Sequence, residues 1–332
     1  MKKIFLTVNL ILLTAVLWGQ SVNVRLENRD SWTCQQIDGT HIDESSGFKG
    51  ERLSLKVSGT MGDKWSYGLH QHLNRPISKS DVFSSTDWMY VQFNPDDHWQ
   101  FLAGKWMVEC GGVEYYEMPV DIYFAGEYFN NYHIFLFGLS AGYWLEGHKD
   151  IITAQVAQSP FEYLFADTYS YNLSWRGHHG CYEAEWSANL YQYGKNGYLT
   201  NLAFGNRLQF GRLKWDLDLI SRADAGDFSL FKDFSVMTKL QYDIIDGLDV
   251  FAKFCADRNL CCETDYDVYL GTDLRVIGGG VEYFPVKGSD TVRIHCTYNR
   301  TYGTAPSAAV LSADVSSINI GITLKALLFG RR

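Results

Sequence analysis

Short segments in which apolar and polar residues alternate recur along this chain, and the clearest of them lies between residues 181 and 193. One phase is apolar and the other is mostly polar, namely Tyr182, Ala184, Trp186, Ala188 and Leu190 against Glu183, Glu185, Ser187, Asn189 and Tyr191. A period of two is the pattern of a β-strand with one apolar and one polar face. Similar segments continue to the C-terminus with turn residues between them. Together they predict an all-β fold, a transmembrane antiparallel β-barrel.

The first twenty residues have the composition of a secretory signal peptide. Two lysines precede an apolar run from Ile4 to Trp18, and polar residues follow it. We expect cleavage near Gln20, which leaves residues 21–332 as a single barrel domain. No later stretch approaches about 18 uninterrupted apolar residues, so a membrane-embedded mature chain would have to cross with strands.

The composition narrows the possible partners. The chain has 29 basic and 38 acidic residues, a formal net charge of −9, which argues against nucleic acid as a partner. Aromatic residues make up 15% of the chain and prolines number only 6, as expected for interfacial aromatic girdles and long ladder strands. The seven cysteines are an odd number, and we expect small buried or lipid-facing side chains rather than a disulfide scaffold.

Turn residues divide the chain into hairpins in which short and long connections alternate. Counting the segments between them gives about sixteen strands, the first at residues 21–27 and the last at about 313–329. Long connections are predicted at 28–50 and 194–200, among others. Short turns would face the periplasm and long loops the exterior, and pairing of the first and last strands would remove both sheet edges.

The inward phase of these strands carries many charged residues. Eight bases fall in this phase and form a predicted basic wall: Arg52, Lys56, Arg207, Arg222, Lys239, Lys253, Arg293 and Lys325. Burying so many charges without partners would be very costly. The interior is therefore expected to be wet, as a pore or a hydrated lumen.

Residues 88–143 carry a more specific pattern. They contain a strand, a tight polar turn at 94–98, a strand that ends in Ala-Gly-Lys at 103–105, a long loop, and the strand FGLSAGY at 137–143. This pattern resembles the phosphate-selective porin O and P family, and in particular its Bacteroidetes branch. The resemblance implies a sixteen-stranded, homotrimeric porin in the outer membrane of a Gram-negative bacterium, with a third loop that folds into the pore.

The third long connection, residues 111–133, is acidic and contains no Lys or Arg. Its four relevant carboxylates are Glu114, Glu117, Asp121 and Glu127. The resemblance implies basic ladders in phosphate-specific members, and this loop has no such cluster, so the family name does not identify the solute. An acidic loop opposite a basic wall would set a transverse field across the constriction.

Several polar motifs suggest other chemistry. His70 and His72 lie two apart on one strand and could form half of a metal site, but no further ligand follows at a fixed spacing. Two lumenal carboxylate pairs, each pointing one way along a strand, are interpreted as pore-lining charge rather than a glycosidase site: Glu183 with Glu185, and Asp216 with Asp218. Because no nucleophile motif is present either, we predict no catalytic residue, no metal and no cofactor.

These observations predict a passive, water-filled diffusion channel for small hydrophilic solutes or ions, surrounded by outer-membrane lipid. The main alternative is a structural or surface-binding barrel whose lumen is plugged by the third loop. A barrel enzyme is a further alternative, because a Ser–His pair on adjacent strands leaves no sequence motif.

Overall fold

The computed structural model describes residues 21–78, 83–161, 164–227, 232–304, 306 and 314–331. Within these residues, sixteen strands of at least eight residues form one antiparallel sheet. The strands are β1 Ser21–Ile37, β2 Gly47–Met61, β3 Trp65–His72, β4 Thr86–Phe93, β5 Trp99–Met107, β6 Phe135–Trp144, β7 Asp150–Gln158, β8 Tyr169–His179, β9 Tyr182–Tyr193, β10 Gly197–Phe210, β11 Leu213–Asp224, β12 Asp233–Ile245, β13 Leu248–Asn259, β14 Thr272–Tyr283, β15 Val292–Thr304 and β16 Val315–Arg331. The signal peptide predicted for residues 1–20 lies outside the described residues.

The sheet closes because β1 pairs with both β2 and β16. In the closing pair, Asn23 lies opposite Gly330 and Ile37 lies opposite Val315. Every long strand therefore has a neighbour on each side, and neither edge of the sheet is left open. The predicted fold class, an antiparallel barrel of sixteen strands, is confirmed. Among the described residues, no helix is long and apolar enough to span a membrane.

The predicted strand boundaries are wrong in two places. β1 continues to Ile37 instead of ending at residue 27, and β2 already begins at Gly47. Residues 28–37 look like a loop because they are rich in charge and hydroxyl groups, yet Arg29, Ser31 and Thr33 form a buried, inward-facing row. The connection predicted at 194–200 is also shorter, because β10 begins at Gly197.

The outer face of the barrel is apolar, as the alternation predicts. On β16, Ile318, Ile320 and Ile322 are exposed on the outside, whereas Thr323 is fully buried inside.

Lys105 of β5 is a charged residue in the same phase of the sequence as the apolar residues Trp99, Phe101 and Ala103. It follows Gly104, which has a φ of +130°, and its Nζ donates to the carbonyl oxygen of Phe83 at 3.0 Å. This charge is therefore hydrogen-bonded to the loop after β3.

Part of the barrel interior is a packed apolar core. We call it the aromatic core; it brings together side chains from the long loops and from β9, including Tyr115, Tyr128, Tyr132, Phe161 and Tyr191. Three of the tyrosine hydroxyl groups are hydrogen-bonded: Tyr132 Oη donates to Tyr191 Oη at 2.9 Å, and Tyr128 Oη accepts from Nδ2 of Asn201 at 2.6 Å. The expectation of an entirely wet interior is therefore wrong on this side of the lumen.

Arginine in place of Leu139 tests whether the apolar outer face lies in lipid. Leu139 is 66% exposed in the middle of β6, so the guanidinium would have to leave water for hydrocarbon. We expect the free energy of unfolding in lipid vesicles to fall by about 2–4 kcal/mol. Leu145, in the turn after β6, is the matched control, and arginine there should cost only about 0–1 kcal/mol. Equal costs at both positions would contradict a lipid-facing belt.

Candidate pore constriction

The segment between β5 and β6, residues 108–134, folds into the barrel; we call it the constriction loop. It contains two short helices, α1 Val113–Tyr116 and α2 Glu127–Asn131, and a 3₁₀ turn at Pro119–Asp121. Helices of four and five residues do not form stably by themselves. Contacts with the barrel wall must therefore hold this loop in place.

A carboxylate of the wall caps each of these helices. Asp218 of β11 accepts the backbone N–H groups of Val113 and Glu114, at 2.7 and 2.9 Å. Asp257 of β13 accepts the backbone N–H groups of Glu127 and Tyr128, at 2.6 and 3.4 Å. A carboxylate at a helix N-terminus accepts hydrogen bonds from free N–H groups and interacts favourably with the positive end of the helix dipole. Both ends of the loop are thus attached to the far wall.

The loop lies directly on the backbone of β10 beside the first cap. A Cβ atom added to Gly205 would lie 2.6 Å from Cα of Gly112 and 2.7 Å from the backbone nitrogen of Val113. Real Cβ atoms do not approach other atoms so closely, so only glycine permits this contact. The close approach brings the first turn of α1 within reach of Asp218.

Glu114 is paired with Lys253 of β13, and both side chains are buried. Nζ of Lys253 also donates to the carbonyl oxygen of Phe124 at 2.6 Å, farther along the constriction loop. One lysine therefore joins two turns of the loop to the wall. A buried pair of this kind is costly to break because the remaining charge has no partner.

Asp121 binds two bases of the wall. Its carboxylate lies 2.6 Å from Nη2 of Arg293 on β15 and 2.8 Å from Nζ of Lys325 on β16. Burial raises the pKa of the Asp121 carboxyl, but the two cations outweigh burial and hold that pKa below its usual value. This contact therefore persists at neutral pH and weakens only as the pH falls through the lowered pKa.

The other two predicted loop carboxylates differ in their partners. Glu117 pairs with Arg207 of β10, which also binds Asp216 at 2.7 Å. Glu127 accepts a hydrogen bond from Nδ2 of Asn131 at 3.0 Å. Glu114, Glu117 and Asp121 thus meet the basic wall in direct ion pairs. The sequence predicted instead that the two sets of charges would face each other across the opening.

The remaining bases of the predicted wall lie apart from these pairs. Arg222 binds Asp265, in the loop after β13, at 2.5 Å, and Lys56 binds Glu27 at 2.8 Å. Nζ of Lys239 lies 5.0 Å from the centre of the Phe251 ring. Arg52 faces the lumen, and within the described residues it has no ion pair. Within the described residues, the structure therefore divides the predicted wall into four bases that form ion pairs with the constriction loop and four that do not.

Two groups that bind the constriction loop are not among the residues predicted from the sequence. Arg29 of β1 donates from Nη1 to the carbonyl oxygens of Val120 and Ile122, at 2.9 and 2.8 Å. Asp257 was not recognised as a cap. The inward phase of both strands was the available signal, and for Arg29 it was hidden because β1 was predicted to end too early.

The open part of the lumen is a vestibule of about 950 Å³ at the end of the barrel where the long loops lie. Its lining includes six charged side chains, Arg52, Arg75, Asp87, Lys105, Glu117 and Glu127. Glu117 also lines a small cavity of about 30 Å³ beneath the loop, together with Lys239 and Lys253. Glu117 therefore lies between the vestibule and this cavity.

Comparison with known proteins agrees with this architecture. A family model for phosphate-selective porin O and P matches residues 22–199, more than half of the chain. The chain belongs to the phosphate-selective porin O and P family. It is therefore an outer-membrane channel protein, and we refer to it below as the porin. A comparison with curated protein sequences finds no match.

Solved structures with the same fold have little sequence in common with the porin. An anion-selective porin from Comamonas acidovorans is 10% identical, with a TM-score of 0.67, over 92% of this chain and 100% of that one. The outer-membrane channel DcaP of Acinetobacter baumannii is 12% identical, with a TM-score of 0.65, over 93% and 98%. The trimer form of OmpT from Vibrio cholerae is 13% identical, with a TM-score of 0.61, over 93% and 100%. At these identities the likeness shows the fold alone.

Removal of the Lys253 charge tests how firmly the constriction loop is bound in the porin. Lys253→Met leaves the Glu114 carboxylate buried without its partner, and we expect the free energy of unfolding to fall by about 3–5 kcal/mol. The double variant Lys253→Met/Glu114→Gln removes both charges and should recover most of that loss. Urea titration of the refolded porin in lipid vesicles measures all three proteins. A double variant that is no more stable than Lys253→Met would contradict the pairing.

Proposed function

We propose that the porin is a passive diffusion channel for small hydrophilic solutes and ions. The observation that carries this proposal is the vestibule of about 950 Å³, whose charged lining reaches the constriction loop at Glu117. A solute that passes between fixed charges in a wet lumen keeps much of its hydration, and transport needs neither a cofactor nor chemical turnover. We therefore propose a channel rather than an enzyme.

The proposal includes only weak ion selectivity. The charged residues of the vestibule comprise three bases and three acids. Within the described residues, Asp87 and Glu117 take part in ion pairs, whereas Arg52 takes part in none. A base without a carboxylate partner contributes its full charge to the local potential, so Arg52 is the residue whose reversal should change selectivity most.

Charge reversal at Arg52 tests this account of selectivity. We expect Arg52→Glu to move the reversal potential under a salt gradient towards cation preference, because the vestibule then has two bases and four acids in place of three and three. Arg275→Glu is the matched control: it makes the same charge change at an exposed position on the outer face of β14. Equal shifts in the two variants would place the selective charges outside the vestibule.

A second candidate, a barrel plugged by its own loop, is favoured by a specific observation. The constriction loop contacts the wall on many sides: Arg29 on β1, Lys56 on β2, Arg207 on β10, Lys253 on β13 and Arg293 on β15. The aromatic core occupies another side of the lumen. Such a barrel would carry structural or surface-binding roles instead of conducting.

Single-channel recording separates the two candidates. The refolded wild-type porin and a variant lacking residues 113–132 are compared in planar bilayers, and folding is checked by heat-modifiable gel mobility. A diffusion channel gives steps for both proteins, with larger steps for the variant. A plugged barrel gives steps only after the deletion.

A second variant, which keeps the loop, provides a test that does not depend on the folding of the deletion variant. Asp218→Ala/Asp257→Ala keeps the loop and removes only the two helix caps, so we expect larger and noisier conductance than in the wild type. If the folded wild type shows no conductance steps and either variant does, the channel proposal is wrong and the plugged barrel replaces it.

We further propose that the porin is a homotrimer in the outer membrane of a Gram-negative bacterium, surrounded by lipid and exported by the signal peptide at residues 1–20. The solved trimer form of OmpT from Vibrio cholerae, which has the same fold, supports the trimer. Native mass spectrometry from detergent measures the assembly directly.

A further inference from the structure

A second cluster of polar side chains lies on the vestibule wall, apart from the anchors of the constriction loop. It consists of His70 and His72 on β3 and Asp87 on β4. All three are buried, with exposed fractions of 2%, 3% and 6%. Buried polar side chains normally have hydrogen-bond partners, so the burial of three such groups at one place calls for a structural explanation.

The strand register explains how the three side chains meet. His70 and His72 face the lumen because they are two residues apart on one strand. In the pairing of β3 with β4, His70 lies opposite Trp88 and Gln71 lies opposite Thr86, so Asp87 is the extra residue of a bulge. A bulge re-aims a side chain, and here it turns the carboxylate towards both imidazoles.

The nitrogen and oxygen atoms of the cluster converge. Oδ2 of Asp87 lies 2.7 Å from Nε2 of His72 and 3.0 Å from Nδ1 of His70, and all three atoms lie within 4.8 Å of one another. Nδ1 of His70 lacks the alignment of a hydrogen bond with this oxygen, and no other described group satisfies it. A buried imidazole nitrogen and a buried carboxylate oxygen thus face each other at 3.0 Å.

We propose that His70, His72 and Asp87 form a binding site for a divalent transition-metal ion such as Zn²⁺. Two imidazole nitrogens and one carboxylate oxygen are the ligands of open zinc sites, which leave further positions for water. Zinc bonds of about 2.0–2.2 Å to these ligands require the carboxylate oxygen to move less than about 1 Å away from each of the two nitrogens. Small rotations of the side chains are sufficient for this.

The surroundings of His70 support metal binding through Nδ1. Its Nε2 lies 2.8 Å from Oγ of Ser54 on β2. With a metal on Nδ1, Nε2 would carry the proton and donate a hydrogen bond to this hydroxyl. That hydrogen bond would fix both the tautomer and the orientation of the ring. Nδ1 of His72 has no such partner among the described groups, so we expect weaker binding than in structural zinc sites.

The charges around the cluster leave access for a cation. Lys56 is paired with Glu27 at 2.8 Å and does not bind Asp87. Arg52 and Arg75 are competing cations near Asp87. Nη1 of Arg75 lies 3.9 Å from Oδ1 of Asp87, but its side chain is half exposed and approaches the other carboxylate oxygen. Asp87 is the member of the cluster that lines the vestibule, so an ion would approach the site from the open lumen past this carboxylate.

Titration of the refolded porin with ZnCl₂ in an isothermal calorimeter tests the proposal. We expect one saturable site per barrel, and at least tenfold weaker binding by Asp87→Asn and by His72→Gln. His295→Gln is the matched control, since His295 is another buried lumenal histidine whose partner is Asn319 at 2.7 Å. Absence of saturable binding, or Asp87→Asn and His72→Gln affinities within twofold of the wild type, would overturn the site.

Copper provides a second readout that needs no variant to fold. The electron paramagnetic resonance spectrum of one Cu²⁺ per wild-type barrel should show coupling to two imidazole nitrogens. Coupling to one nitrogen or none would overturn the proposal. Neither measurement depends on whether the barrel conducts, so their outcome is independent of the recordings that test the channel.

Discussion

The pairing of β1 with β16 is the constraint on which the rest of the molecule depends. A sheet with an apolar outer face cannot keep open edges in lipid, because unpaired N–H and C=O groups find no water there. Closure satisfies these groups, and it also brings strands from the two ends of the chain together. Arg29 of β1, Arg293 of β15 and Lys325 of β16 therefore surround the same turn of the constriction loop.

Inside the closed wall, polar groups have two different uses. One group of side chains binds the constriction loop and is buried because the loop covers it: Asp218, Asp257 and Lys253. Arg52 and Arg75 line the remaining space. The distinction explains how a lumen with many charges also contains an aromatic core: Asp218, Asp257 and Lys253 bind the loop, and tyrosine rings of the same loop pack into that core.

The sequence predicted the barrel well because alternation with a period of two is a local signal that each strand carries by itself. It failed where the signal is not local. The bulge that aims Asp87 at His70 breaks the period, and a site that depends on it is invisible to spacing rules. Tyr191 was read as a member of a polar face, although its ring is fully buried in the aromatic core. Docking of a loop against strands far along the chain leaves no pattern in either segment.

The two helix caps have a consequence for how the molecule assembles. Asp218 lies 105 residues beyond its partner Val113, and Asp257 lies 130 residues beyond Glu127. Closing such long loops of chain is slow, and it cannot precede the formation of β11 and β13. During synthesis and insertion the first strands must therefore form with the loop undocked. The lumen therefore narrows only after β13 has formed.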